Sequence, residues 1–207
     1  AVSARSASSP NISFATRVTA WSSFADADYS RMSFFGRAEY SYSDRYYAEL
    51  SLRSDGSSRF GKNNRWGTFG AVGFMWNIRN EEWAAGLRDV LSTAQLAFSS
   101  GTSGNSSIPN YEHLPLIGST GNYLGDSAVA PIQPGNENLS WENAWTTNLA
   151  LHLGLFSRIN VDFELCNKRT SDMLMSVPLS YAASNGFGYK WDNVGAMVNR
   201  GVELNVN

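Results

Sequence analysis

The chain has 207 residues, with 16 Lys plus Arg against 18 Asp plus Glu and a formal net charge of −2. That balance, without any basic run, gives nucleic acid no electrostatic footprint to hold. Charged residues make up only 16% and aromatics 13%, and the single Cys166 excludes an internal disulfide framework and a cysteine zinc cluster.

Residues 1–29, rich in Ser and Ala and without a period, are expected to be irregular. From 31 to 42 the alternation is strict. Met32, Phe34, Gly36, Ala38, Tyr40 and Tyr42 share one face; Arg31, Ser33, Phe35, Arg37, Glu39 and Ser41 share the other. Residues 46–53 repeat the pattern. A turn through Ser43, Asp44 and Arg45 places Tyr42 opposite Tyr46 and Glu39 opposite Glu49. The polar stretch "LRSDGSSRFGKNNRWG", residues 52–67, holds a long loop at 54–67 before a third strand at 68–77. Within it Gly56, Gly61 and Gly67 would permit sharp turns, Phe60 and Trp66 would anchor the loop by packing, and Asp55 would pair with Arg59.

Residues 80–90 predict a short helix, with Asn80 as N-cap and acids in the first turn. A weaker fourth strand covers 91–100, and the Gly-, Asn-, Ser- and Pro-rich segment 101–142 reads as loop. Strands at 145–155 and 159–166 alternate cleanly. The turn through Phe156, Ser157 and Arg158 puts His152 opposite Asp162. A second long loop spans 170–200, and a last strand 201–207.

Long and short connections thus alternate, as in an up-and-down meander with long loops at one end, the pattern of an outer-membrane barrel. No run of about 18 apolar residues predicts a membrane-crossing helix, but strands of this length cross when tilted. The competing reading is a soluble β-sheet module that binds carbohydrate through loop aromatics. Catalysis has little support: there is no Gly-x-Ser-x-Gly elbow and no His-Glu-x-x-His, so no catalytic residue, metal ligand or cofactor is assigned. The facing Glu39 and Glu49 are better read as lumen acids neutralised by Arg37 and Arg53 than as a glycosidase pair.

"SLRSDGSSRFGKNNRWGTF" resembles a stretch of the SusC/RagA family of TonB-dependent outer-membrane transporters, carried by Asp55, Gly56, Ser57, Ser58, Arg59, Phe60 and Gly61, then Arg65, Trp66, Gly67, Thr68 and Phe69. "TSGNSSIPNY", "NENLSWENAWTTNLALHLGLFSRI", "NKRTSDMLMSVPL" and "NVGAMVNRGVELNV" match further family segments in order. Cys166 stands where a large aromatic is usual, and Glu137 where proline is usual. The resemblance implies an all-β antiparallel meander of about seven strands out of a 22-stranded barrel. On this reading residues 1–207 are part of the barrel wall, a fragment or one piece of a split assembly, with the plug and TonB box absent. It also implies a bacterial outer-membrane location, import of glycan fragments or peptides, and as partners the rest of the barrel and plug, outer-membrane lipid, the TonB complex and a SusD-like surface lipoprotein. Tyr111, His113, Tyr123, Tyr181, Phe187, Tyr189 and Trp191, in the outer loops, are the candidate substrate contacts.

Overall fold

The computed structural model describes residues 28–123 and 125–207, so all but the end of the irregular segment expected at 1–29 lies outside them. The strands in chain order are β1 (Arg31–Tyr42), β2 (Tyr46–Ser57), β3 (Trp66–Asn77), β4 (Leu91–Asn105), β5 (Leu116–Tyr123), β6 (Asp126–Gln133), β7 (Glu142–Leu155), β8 (Ile159–Ser171), β9 (Leu174–Pro178), β10 (Tyr189–Asn193) and β11 (Ala196–Val206). Seven form one antiparallel sheet in the order β1-β2-β3-β4-β7-β8-β11, and two separate hairpins, β5-β6 and β9-β10, rise from the long connections.

The expected registers hold. Tyr42 faces Tyr46, Glu39 faces Glu49, Leu155 faces Ile159 and His152 faces Asp162. Both short turns are closed by a hydrogen bond from the arginine N–H, Arg45 to the Tyr42 carbonyl and Arg158 to the Leu155 carbonyl, each 3.0 Å. Their central residues, Ser43 and Asp44, then Phe156 and Ser157, all have φ near +53° or +52°. This is the left-handed pair that a hairpin turn matched to strand twist requires.

Alternation carries one apolar face through every ladder. Ala48 leads to Phe74, Phe98, Leu149, Leu165 and Val202 in a single hydrogen-bonded row. Among the described residues the sheet strands pack on their ladder neighbours, and no second sheet covers this face. Leu50, Phe74, Phe98, Leu149, Leu165 and Val202 stay exposed, which sets aside a packed sandwich core and leaves a belt suited to lipid.

The belt slides along the rows. The row of Ala38, at the belt's middle on β1, ends on β11 at Arg200, whereas the belt there centres on Leu204. Four residues of slip (roughly 14 Å) over six strand spacings (roughly 29 Å) mean strands inclined by roughly 25° to the belt. Tilt of this sense is what a closing barrel needs.

Three sequence expectations change. The segment 80–90 is not an α-helix: Ile78–Asn80 and Ala85–Leu87 are single 3-10 turns. Its acids are spent on strand ends instead. Glu81 accepts from the Tyr46 hydroxyl at 2.6 Å and the Trp76 indole N–H at 3.0 Å, while Arg45 lies 3.6 Å from Glu81 and 3.1 Å from Glu82. Asn80 donates to the Asp44 carbonyl at 2.9 Å rather than capping a helix. The loop expected at 54–67 is shorter, because β2 runs to Ser57 and β3 begins at Trp66. The segments 101–142 and 170–200 are loops only in part, since strand extensions and the two hairpins occupy much of them.

The enclosed core lies at the long-loop end: Phe60, Phe69, Ile108, Leu139 and Trp141, with Leu174 and Trp191 packed against them. Replacing a buried Phe by Ala typically costs about 3–5 kcal/mol. Phe60→Ala is therefore expected to leave the barrel folded but to raise tryptic cleavage after Arg59 and Arg65 by on the order of a hundredfold. Unchanged cleavage would mean that Phe60 does not hold this loop.

At the short-turn end, the Tyr46 hydroxyl, then the Trp76 N–H and the Arg45 charge, hold the Glu81 carboxyl below its usual range despite desolvation. A depressed folded pKa means stability present above the ordinary Glu value of about 4.3 and lost as pH falls through the folded value. Hydrogen-exchange protection of residues 78–90, corrected for intrinsic rates, should stay level from neutral pH down to that range and drop below it. Glu81→Gln should start lower and lack this step; an equally steep acid loss in the variant would contradict the clamp.

Candidate functional site

The outer-end loops form one packed platform, and the "DGSSRFG" segment is its first half. Asp55, on the inward face of β2 and 3% exposed, receives the Arg53 Nε–H at 2.8 Å to each oxygen, with Arg31 3.6 Å away. It does not pair with Arg59, because β2 continues straight through Gly56 and Ser57 and carries Arg59 past it. Arg59 instead donates to Asn110 Oδ1 and the Ser106 carbonyl, both at 3.0 Å, and its guanidinium lies 4.3 Å over the Tyr29 ring. Ser58 donates its N–H to the Ser30 carbonyl and accepts the Ser30 N–H on Oγ, pinning the entry to β1.

Phe60 is fully buried, as expected of an anchor. Trp66 is not an anchor of the loop. It faces outward, 52% exposed, stacked on Phe34 with centroids 6.0 Å apart. The motif glycines serve close approach rather than sharp turns, and none has a positive φ. A Cβ on Gly56 would meet the Trp66 ring at 3.1 Å, one on Gly61 the Glu137 carbonyl oxygen at 2.5 Å, and one on Gly67 the Phe69 ring at 2.6 Å.

Trp141 is the centre of the platform. Its ring meets Phe60 at 5.3 Å and Phe69 edge-on at 5.6 Å, and its indole N–H donates to the Arg65 carbonyl at 3.1 Å. Two asparagines stitch the long loops together. Asn136 donates to the Trp191 carbonyl and Asp192; Asn193 accepts the Ser140 N–H and donates to the carbonyls of Ser140 and Asp172. Burial pushes the Asp192 carboxyl up, but Lys190 at 2.7 Å and Asn136 outweigh it and hold it below the usual range. Glu112, buried with no such partner, is pushed up by that burial.

The sequence-expected contact residues do not converge. His113 is buried, with Nδ1 donating to the Arg59 carbonyl at 3.0 Å. The Tyr111 hydroxyl is held by the backbone of Asp28 at 2.7 and 3.3 Å. Trp191 packs on the core, Phe187 is half-buried on the β9-β10 connection, and Tyr123 ends β5 on the other hairpin. Tyr181 and Tyr189, on the β9-β10 hairpin, remain open, 70% and 52% exposed. The interactions that sequence reading missed, Arg59 to Asn110 and Ser106, Asn136 to Trp191 and Asn193 to Ser140, span more than 45 residues each. Only the spacing of the family segments hinted at them.

On the inward face, Arg37 bridges Glu39 and Glu49, 3.1 Å from the latter, and His152 Nδ1 lies 2.8 Å from Asp162 Oδ1. Arg53, expected to share in neutralising the glutamates, is committed to Asp55. These groups line a charged wall opposite the apolar belt, with no reactive constellation among them.

A family model described as TonB dependent receptor-like, beta-barrel, matches residues 3–207. The chain is 34% identical to TonB-dependent receptor P39 of Formosa agariphila, covering 84% of this chain and 17% of that protein. It is also 34% identical to TonB-dependent receptor SusC of Bacteroides thetaiotaomicron, covering 85% and 18%. Among solved structures it superposes on the RagAB peptide importer in its closed-closed state with a TM-score of 0.79 at 37% identity, covering 87% of this chain and 20% of that one. The siderophore receptor PirA of Acinetobacter baumannii shares the fold alone, with a TM-score of 0.59 at 13% identity. The chain thus spans about a fifth of the length of the relatives it matches. An uncharged belt turned to lipid, a charged inner wall and these matches together make it a member of the TonB-dependent receptor β-barrel family, a stretch of outer-membrane barrel wall.

Proposed function

We propose that this chain is part of the wall of an active importer that takes up glycan fragments or peptides. The observation that carries the reading is the asymmetry of the seven-stranded meander: an almost uncharged outer face, a charged inner face, and a braced loop platform at one end. Its likeness to SusC and to the RagAB peptide importer supports that class of cargo. Energy would arrive through the TonB complex, and a SusD-like surface lipoprotein would cover the loop end. The chain's own part is to insulate a wet lumen from lipid and to present the loop platform. Nothing in the wall makes or breaks bonds.

Affinity purification of the complete barrel from outer membranes in mild detergent is expected to bring down one surface lipoprotein in a stoichiometric amount. Uptake of labelled oligosaccharides or oligopeptides by cells should stop when the proton-motive force is collapsed. Uptake that persists without that force would sink the active-import reading, while absence of the lipoprotein would remove only the partner.

Tyr181 and Tyr189 are exposed loop aromatics that could stack on cargo. Changing both to Ala is expected to raise the half-saturating cargo concentration by roughly 5–10-fold, the size of one or two aromatic contacts, with barrel assembly unchanged on an unboiled gel. An unaltered uptake curve would remove this hairpin from the cargo path.

A further inference from the structure

Alternation and register assign each ladder-paired residue of the seven-stranded sheet to one face. Among the described residues, the outward face carries two charged side chains, Arg169 on β8 and Arg200 on β11, and no carboxylate. They are neighbours. Asn167 pairs with Arg200 and Arg169 with Val198, so the two arginines are diagonal partners on adjacent strands, about 7–8 Å apart at the backbone. Both are exposed. Arg200 Nε donates to Asn167 Oδ1 at 3.2 Å, which aims its guanidinium along the sheet surface. Its terminal amino groups and the whole Arg169 guanidinium have no protein acceptor among the described residues.

Their height relative to the belt is defined by the rows. Phe98, Leu149, Leu165 and Val202 form the last fully apolar row on β4, β7, β8 and β11. The next row toward the long loops is Ser100, Thr147, Asn167 and Arg200, and the one after it Thr102, Trp145, Arg169 and Val198. The belt therefore ends at Arg200. Trp145, 58% exposed, lies at the same level with its N–H on Ser100 Oγ at 2.9 Å, as a ring at a membrane boundary would. Long loops face outward in such barrels, so this boundary is that of the outer leaflet.

A guanidinium is costly at mid-bilayer and cheap at the interface. Position alone thus permits the pair but does not explain two neighbouring like charges with no acid on that face among the described residues. Like charges on adjacent strands disfavour each other unless an anion lies between them. Planar guanidiniums match phosphate oxygens with paired N–H donors. Directly below, Leu165 and Val202, 37% and 68% exposed, offer an apolar surface for an acyl chain. We propose that Arg169 and Arg200, oriented by Asn167, bind the phosphate of a phosphorylated lipid of the outer leaflet. A soluble cargo inside the barrel would not reach this lipid-facing site.

The test uses the complete barrel, stripped of lipid in detergent and incubated with bis-phosphorylated lipid A, the same lipid lacking its phosphates, or inorganic phosphate, with bound species counted by native mass spectrometry. Wild type is expected to prefer the phosphorylated lipid by at least about tenfold. Arg169→Gln/Arg200→Gln should lose that preference, and Arg169→Lys/Arg200→Lys, which keeps charge but not the paired donors, should fall between. Unboiled-gel mobility verifies that each variant is folded. Equal retention by the glutamine variant, indifference to the lipid phosphates, or inorganic phosphate bound as tightly as the lipid would each overturn the assignment. Uptake is not the readout, so the outcome stands apart from the import reading.

Discussion

Side-chain facing carried through six hydrogen-bonded ladders, with one register shift at Leu91/Thr93 where β4 meets β7, is the constraint on which the rest of this structure depends. A strand has a period of two, so a slip of one residue would turn its apolar side chains to the lumen and its charges to lipid. The two short turns fix that parity at the sites where it is set. Each has three residues, the first two left-handed, and none of the four left-handed positions is a glycine. Non-glycine residues there cost conformational energy, and the strands' shared register outweighs it. With parity held, lipid and water each meet one chemical surface, and the belt's slope across the rows follows from strand tilt without any further instruction in the sequence.

Strand existence and facing were legible because periodicity is a local property. The outer-face set from Met32 to Tyr42 and the pairing of His152 with Asp162 needed only counting. Strand ends were less legible, because what stops a strand here is distant. Asp55 and Ser57 look like loop residues by composition. Yet they finish β2, since Arg53 and Arg31 neutralise the buried carboxylate and Trp66 lies across Gly56. Residues 80–90 have helical composition, but about three turns of helix are marginal by themselves. The Glu81 carboxylate is more strongly engaged by Tyr46 and Trp76 than by any helix end. Composition also hid the two loop hairpins, whose Gly, Asn and Pro content reads as turn.

The departures from the family pattern have local causes that only the fold displays. Cys166 lies on the inward face opposite Gly201, where a Cβ on residue 201 would come within 2.8 Å of its sulfur. Small meets small at that pair, and a lone thiol fills what a large ring could not without displacing the neighbour. Glu137 is exposed, and its backbone carbonyl rather than its side chain makes the contact with Gly61. What neighbouring segments use at this position is its carbonyl, so the side chain is free to vary.

The platform of loops follows from a separate necessity. Strands in the wall satisfy their backbone polar groups in ladders, but chain that leaves the wall and is then buried against other loops has no ladder to use. Asparagine, with a carbonyl and an amide at one end, can replace a missing strand partner by donating and accepting at once. Asn193 does this for Ser140, accepting its N–H and donating to its carbonyl, as a neighbouring strand would. Asn136 does part of it for Trp191. The asparagines that made residues 101–142 and 170–200 look unstructured are thus what holds them together around Trp141. An outer end braced in this way is ordered by its own contacts rather than by anything that binds to it.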